Sequence, residues 1–191
     1  MIGLAGAILV LLWMQLSRTP WRALGFTRPK SWLGTVAAGV ALGVALKLVM
    51  KAVVMPLLGA DPTNHVYHSV AGNPVAFAGL ALTVIVIGGF GEELVYRGFL
   101  FERLGKLFGS GGVAKTCIVL ITTVVFALSH LYDQGIPGAE QAVFTGLVFG
   151  SIFAVTRKIW IPVIAHAAFD LAALAMIYWN IEPNVAHYIF K

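Results

Sequence analysis

The sequence predicts an all-α membrane protein, a polytopic bundle of about six transmembrane helices that form one domain. Of its 191 residues, 59% are hydrophobic and only 11% are charged, whereas ordinary soluble domains carry about 25% charged residues. The mean hydropathy is +0.89, and long apolar runs alternate with short polar or basic connections. Runs of about 20 apolar residues are long enough to cross a bilayer as helices, so the composition excludes a soluble globular class.

The N-terminal third is expected to contain two helices joined by a basic connector. The first helix is the apolar run Ile2 to Leu16, which lacks the basic start and the small-residue cleavage site of a signal peptide. Arg18 to Lys30 is an interfacial connector, and Trp32 to Leu58 forms a second helix whose Gly and Ala residues allow neighbouring helices to approach closely. Lys47 and Lys51 are one turn apart in it and are predicted to snorkel toward the interface; the alternative is a functional positive face.

A polar loop and a third helix follow. The loop runs from Gly59 to Asn73, where His65 and His68 could bind a metal as a pair but have no further ligand beside them. Proline suits the first turn of a helix, so the third helix is predicted to run from Pro74 to Phe108.

Three more helices complete the predicted bundle, after a turn at Gly109–Gly112. The loop Leu131–Ala139, the basic turn Arg157-Lys158 and a loose tail, Asn180–Lys191, are expected between and after them. The three helices are predicted at Val113 to Ser129, Glu140 to Thr156 and Trp160 to Tyr178.

The net charge of +5 comes mainly from short connections. With six helices, the basic connections Arg18–Lys30, Arg103–Lys115 and Arg157–Lys158 fall on one side, and the positive-inside rule then places both termini outside the cytoplasm. No basic patch carries interleaved aromatic residues, so we expect no nucleic-acid partner. The single cysteine, Cys117, excludes an intrachain disulfide and a thiolate metal site.

Two adjacent carboxylates, Glu92 and Glu93, end an apolar run in the third helix. Glu93 and Arg97 are spaced i,i+4, so they share a helix face and can neutralise each other. Glu92 points about 100° away, which leaves it without that partner. In a low-dielectric site its ionised form is disfavoured, which suits a general base or acid.

Six costly polar side chains are expected inside the membrane, on three helices. Ionisable residues at such positions are functional by default. His166 and Asp170 share a helix face at i,i+4, and His130 ends the fourth helix one turn after Phe126. The six residues are Glu92, Glu93, Arg97, His130, His166 and Asp170.

Two versions of amide hydrolysis fit these side chains. A divalent metal such as Zn²⁺, bound by Glu92, His130 and His166, would activate a water. Alternatively, Glu92 and His130 activate a water without metal, while His166 and Asp170 stabilise the oxyanion, although an ionised Asp170 could not donate a hydrogen bond. The zincin and nucleophile-elbow motifs are absent. Because adjacent helical residues point apart, a dyad of Ser129 with His130 is not expected.

Three spaced sets of residues resemble the three motifs of the CPBP intramembrane proteases, also called the CAAX protease and bacteriocin-processing, or Abi, family. The sets are Glu92-Glu93-x-x-x-Arg97, Phe126-x-x-x-His130 and His166-x-x-x-Asp170. This family includes the type II CAAX prenyl endopeptidases. The resemblance covers about Pro74 to Trp179. It divides the chain into N-terminal helices and a connector, residues 1–73, a catalytic core, 74–180, and a tail, 181–191.

The resemblance implies an endopeptidase, expected in a prokaryotic cell membrane, that acts on a membrane-associated peptide of CAAX type or of leader or bacteriocin type. Glu92 would be the base, His130 its assistant, His166 and Asp170 a second pair, and Glu93 and Arg97 supporting residues. The peptide substrate and the lipid bilayer are then its partners. The alternatives are a non-proteolytic membrane scaffold or an immunity or maturation protein of the same family, and a small proton-coupled carrier.

Two features qualify the resemblance. CAAX-cleaving members usually have asparagine where this chain has Asp170, and aspartate could instead orient His166 or bind a metal. Counting helix rise from the basic side places Glu92 and His130 about 25 Å deep but His166 only about 12 Å deep. Straight helices would not bring them together, so we predict a distortion near Gly88–Gly91.

Overall fold

A computed structural model of the chain describes residues 2–190, which form helices and connecting turns without a strand in that range. The predicted all-α fold is therefore confirmed. The helices are α1 Ile2–Ser17, α2 Trp32–Leu57, α3 Pro74–Phe108, α4 Gly112–Thr156, α5 Trp160–Tyr178 and α6 Glu182–Ala186.

The helices agree with a polytopic bundle. By length and composition, α2, α3, α4 and α5 can each cross a membrane, whereas α1 has only 16 residues. The 45-residue α4 contains a break at Gly135, with φ 66° and ψ −163°. The two arms of α4, before and after Gly135, fold back on each other, as the contacts of Gly146 with Thr123 and of Gly150 with Val119 show. With the arms counted separately, the six predicted helices are α1, α2, α3, the two arms and α5.

The loop predicted at Leu131–Ala139 is wrong. Helical winding continues up to both sides of Gly135, and this one residue makes the corner. Glycine adopts a positive φ without steric cost, and Pro137 suits the first turn of the second arm. The corner therefore needs no extended loop.

The middle of α3 is wound more widely than an α-helix. Val84–Glu92 and Leu94–Phe99 form π-helical turns, in which hydrogen bonds join residues five apart and which are frequent at functional sites. This winding confirms the distortion predicted near Gly88–Gly91. A Cβ added at Gly89 would lie 2.8 Å from the Cβ of Ala167, so α3 and α5 are in close contact there.

Glycines of α2 bring that helix equally close to α5, as the sequence predicts. A Cβ added at Gly43 would lie 2.1 Å from the carbonyl oxygen of Ala165, and one at Gly39 would lie 2.7 Å from Ile164 Cγ2. Because the backbones approach so closely, α2 fixes the position of the helix that carries His166.

Lys47 and Lys51 do not snorkel, contrary to the prediction. Their exposed fractions are only 7% and 8%, because both side chains point into the bundle. Lys51 Nζ lies 2.8 Å from Glu182 Oε1, and Lys47 Nζ donates to Gln141 Oε1 at 2.8 Å. Glu182 also accepts from the Asn64 amide at 3.2 Å. The predicted loose tail is therefore wrong over this segment, since α6 is anchored by a buried ion pair.

The basic connections lie together at one end of the bundle. Ala23, Lys106, Lys115 and Arg157 line one shared hollow there. The connections Gly59–Asn73 and Gln134–Gly138 meet Glu182 at the other end, around a second hollow. This arrangement agrees with the two sides assigned from the sequence.

Candidate active site

The predicted intramembrane polar residues meet at one place in the bundle. Glu92 Oε2 lies 3.9 Å from His130 Nε2 and 3.9 Å from His166 Nε2. His166 Nε2 lies 3.6 Å from Asp170 Oδ2. α3, α4 and α5 thus each contribute to one cluster, despite the different depths that straight helices would give these residues.

Glu93 forms hydrogen bonds to two other residues of the cluster. Its Oε1 accepts a hydrogen bond of 2.6 Å from Arg97 Nη1 and one of 2.8 Å from His166 Nδ1. Glu93 is completely buried, and the Arg97 guanidinium also lies 4.5 Å from the ring centre of Phe126. The predicted i,i+4 pair is therefore confirmed, whereas the contact with His166 was not expected from the sequence.

Glu92 faces the opposite way, toward His130 and an open cavity. Its Oε2 is buried and has no hydrogen-bond partner among residues 2–190. A buried polar atom without a protein partner is costly, so this oxygen is the natural position for a group supplied by solvent or substrate. Glu93 Oε2 also lacks a partner in that range, but Glu93 Oε1 accepts two hydrogen bonds and Glu93 does not line the cavity. The two adjacent carboxylates therefore have different surroundings, as the sequence predicts.

His130 is oriented by the backbone one turn before it. Its Nδ1 lies 2.9 Å from the Phe126 carbonyl oxygen, which can only accept, so Nδ1 carries a proton. The Phe126 ring packs edge-on against the imidazole, with 4.5 Å between ring centres. Nε2, the nitrogen nearer to Glu92, keeps its lone pair when the ring is neutral.

A hydroxyl pair beside His130 was missed in the sequence. Tyr96 donates to Ser129 Oγ at 2.9 Å, and Ser129 donates to the Phe126 carbonyl at 2.7 Å. Contrary to the expectation that the two side chains point apart, Ser129 Oγ lies 3.4 Å from His130 Nδ1. The serine proton is nevertheless directed at the backbone, so Ser129 is not arranged as a nucleophile. The position of Tyr96 one turn after Glu92 was the one available signal, and it does not reveal a partner on another helix.

The cluster borders a cavity of about 180 Å³. Its walls come from α1, through Gly3, from α3, α4 and α5, and from the loop that carries Tyr67. Burial raises the pKa of the Tyr67 hydroxyl, so this group stays protonated at neutral pH and can donate a hydrogen bond. The lining includes Glu92, Tyr96, Ser129, His130, His166 and Asp170.

Glu92 lies somewhat farther from the two proposed histidine ligands than the ligands of a bound zinc ion lie from one another. Within residues 2–190, no three or more His, Cys, Asp or Glu side chains are grouped as a metal site. Zinc bonds of about 2.0–2.2 Å would place tetrahedral ligands about 3.4 Å apart, whereas Glu92 lies 3.9 Å from each histidine. A water at about 2.8 Å from two of these atoms fits that separation. His65 in the loop contacts Asp61 at 3.2 Å, on the surface.

One comparison with known proteins gives a match. The family model described as "Type II CAAX prenyl endopeptidase Rce1-like" matches residues 74–172, a range that contains all six residues of the cluster. No curated protein and no solved structure matches the chain.

Proposed function

Because the chain belongs to the family of Rce1-like type II CAAX prenyl endopeptidases, we propose that it hydrolyses a peptide bond of a membrane-associated substrate of CAAX type. The observation that carries this proposal is the geometry around Glu92. One unpartnered carboxylate oxygen lies 3.9 Å from two histidine nitrogens, at the edge of a cavity. A scaffold has no need of such an arrangement, since it costs stability and forms no structural bond.

Glu92 is the general base in the proposed reaction, and His130 is its assistant. A water between Glu92 Oε2 and His130 Nε2 donates one hydrogen bond to each. Glu92 takes a proton as the water oxygen attacks the substrate carbonyl carbon, and the carbonyl electron pair moves to its oxygen. The tetrahedral intermediate then collapses, the C–N bond breaks, and the leaving nitrogen receives the proton from Glu92. The products are a carboxylic acid and an amine.

His166 is the proposed donor to the oxyanion. Its Nδ1 is committed to Glu93 at 2.8 Å, so the Nε2 side of the ring, when protonated, is directed toward the cavity. A donor held in this way needs little reorganisation during the reaction. Glu93 and Arg97 are positioning residues, because they act through His166 and do not line the cavity.

Asp170 takes a role different from that of the asparagine usual in CAAX-cleaving relatives. At 3.6 Å from His166 Nε2 it is too distant for a hydrogen bond, and the orientation of the ring is already provided by Glu93. We assign it an electrostatic role, in which its carboxylate stabilises the positive charge that the His166 imidazole gains on protonation. The oxyanion hydrogen bonds then fall to His166.

The test is cleavage by the protein in liposomes, with a prenylated CAAX peptide, its unprenylated form and an unrelated leader peptide as substrates. We expect Glu92→Gln to lower kcat by on the order of 10²–10⁴-fold, since that is the usual contribution of a general base. Glu102→Gln is the matched control, because Glu102 contacts Arg103 and Lys106 at the basic end. Equal rates for Glu92→Gln and the control would overturn the proposal.

A chelator arm tests the metal version of the site separately. With the present spacing we expect the rate to stay the same in chelator. A loss that added Zn²⁺ restores would show that Glu92, His130 and His166 close on a metal during the reaction.

A further inference from the structure

A second cavity adjoins the candidate catalytic cavity. Its volume is about 200 Å³, and Lys47 and Lys51 are among its lining residues. The two cavities share three lining residues, Gln134, Gly138 and Gln141. The two cavities therefore meet at these side chains.

The two buried lysines differ in how their charges are compensated. Lys51 forms an ion pair with Glu182 at 2.8 Å, so its charge is neutralised. Lys47 has the neutral amide of Gln141 as its partner, at 2.8 Å, and the ring of Phe169 lies 4.8 Å from its nitrogen. Over residues 2–190, no carboxylate comes within 4 Å of Lys47 Nζ.

Lys47 is therefore a buried cation with donor capacity to spare. Its exposed fraction is 7%, and an ammonium group has three donors, of which Gln141 takes one. Asp170 and Glu182 act on Lys47 only from beyond 4 Å, and burying a charge without a directly bonded opposite charge is expensive. The arrangement favours an anionic ligand that enters the second cavity.

The position of Lys47 relates this ligand to the reaction. Its hydrogen-bond partner Gln141 lines both cavities, and Phe169, over which it lies, is the neighbour of Asp170 in α5. One layer of side chains thus separates Lys47 from the candidate catalytic cavity. A peptide that is cleaved near its C-terminus carries such an anion, its terminal carboxylate, a few residues from the scissile bond.

We propose that Lys47 binds the C-terminal carboxylate of the substrate, an inference that rests on the proposed function. The leaving segment of the peptide extends past Gln141 into the second cavity, and its carboxylate pairs with the ammonium group. The distance between Lys47 and Glu92 then sets how many residues are removed. The enzyme then recognises the free end of its substrate.

The experiment compares two peptides that differ only at the C-terminus, one a free acid and one an amide. For the wild type, kcat/KM for the acid should exceed that for the amide by roughly ten- to a hundredfold, mainly through KM, because hydrogen bonds to charged groups contribute that much. Lys47→Met should reduce this ratio to near one, whereas Lys47→Arg should retain most of it. Lys115→Gln, an exposed lysine at the other end, is the matched control and should keep the wild-type ratio.

A length series makes the inference sharper. Free-acid peptides with one to five residues after the scissile bond should show a single preferred length in the wild type, and Lys47→Met should broaden it. Equal cleavage of acid and amide by the wild type, which needs no variant, would overturn the role of Lys47. If neither peptide is cleaved in a Glu92-dependent way, the proposed function itself fails.

Discussion

One carboxylate oxygen, Glu93 Oε1, connects the stability of the bundle to the orientation of the candidate active site. It accepts from Arg97 and from His166 simultaneously, in complete burial. The charge that compensates the guanidinium also fixes which nitrogen of the imidazole is directed toward the cavity. Structural and positioning roles therefore cannot be separated at this residue.

Glu93→Gln should consequently impair both properties. It leaves the buried Arg97 without an opposite charge, which costs about 3–5 kcal/mol, and it weakens the anchor of His166, so kcat should fall while KM changes little. The apparent Tm in detergent and the rate with a CAAX peptide measure the two effects. Glu102→Gln should cost less stability than Glu93→Gln, because Glu102 is buried but its partners Arg103 and Lys106 are 35% and 65% exposed and stay hydrated without it. A Glu93→Gln protein as stable as this control would contradict the account.

At the scale of residues, local spacing predicted what lies within one helix and failed between helices. The pairs Glu93–Arg97 and His166–Asp170 follow from i,i+4 geometry. Nothing in the sequence indicates that Glu93 contacts His166, 73 positions away. Lys47 was assigned to the interface for the same reason, because its partner Gln141 is 94 positions distant.

At the scale of elements, the site is brought together by the wide winding of α3 and by the close contacts that glycines of α2 and α3 make with α5. The sequence predicted a distortion near Gly88–Gly91 because regular helices leave Glu92 and His166 at different depths. It could not predict the extent of that distortion, since Val84–Glu92 and Leu94–Phe99 both adopt π winding. It also assigned a loop where a single residue, Gly135, makes the corner.

Gly43 provides a test of how helix packing positions the site. In Gly43→Ala the new methyl group would meet the Ala165 carbonyl at 2.1 Å, so α5 must shift next to His166. We expect a loss of about 1–3 kcal/mol together with slower cleavage. In Gly79→Ala nothing lies within 4 Å of the new methyl group, so this change in α3 should be neutral or stabilise by up to about 1 kcal/mol. Measured unfolding temperatures that agree between the two variants would contradict the packing argument.

At the scale of the whole molecule, the candidate site lies nearer to the end opposite the basic connections. Tyr67, Asp133 and Gln134 line the candidate catalytic cavity, and they belong to the weakly charged end. The positive-inside rule places the basic end in the cytoplasm. We therefore expect a substrate to approach the cavity from the non-cytoplasmic face.

Cysteine labelling in intact cells measures this orientation. In a Cys117→Ala background, Ser69→Cys should react with a membrane-impermeant maleimide added outside, whereas Ser110→Cys should react only after the cells are permeabilised. Both serines are exposed, on opposite ends. The reverse pattern would turn the cavity toward the cytoplasm and overrule the charge argument.

The close contacts made by the first two helices have a consequence for the modular organisation of the chain. The family match begins at residue 74, after both α1 and α2. Yet a Cβ at Gly3 in α1 would lie 3.1 Å from Glu92 Cγ, and α2 contacts the backbone of Ala165. Residue 74 is thus where the family match begins, but not where an autonomously folding unit begins. A fragment that starts there would keep all three motifs and lose two of the helices against which those motifs are assembled.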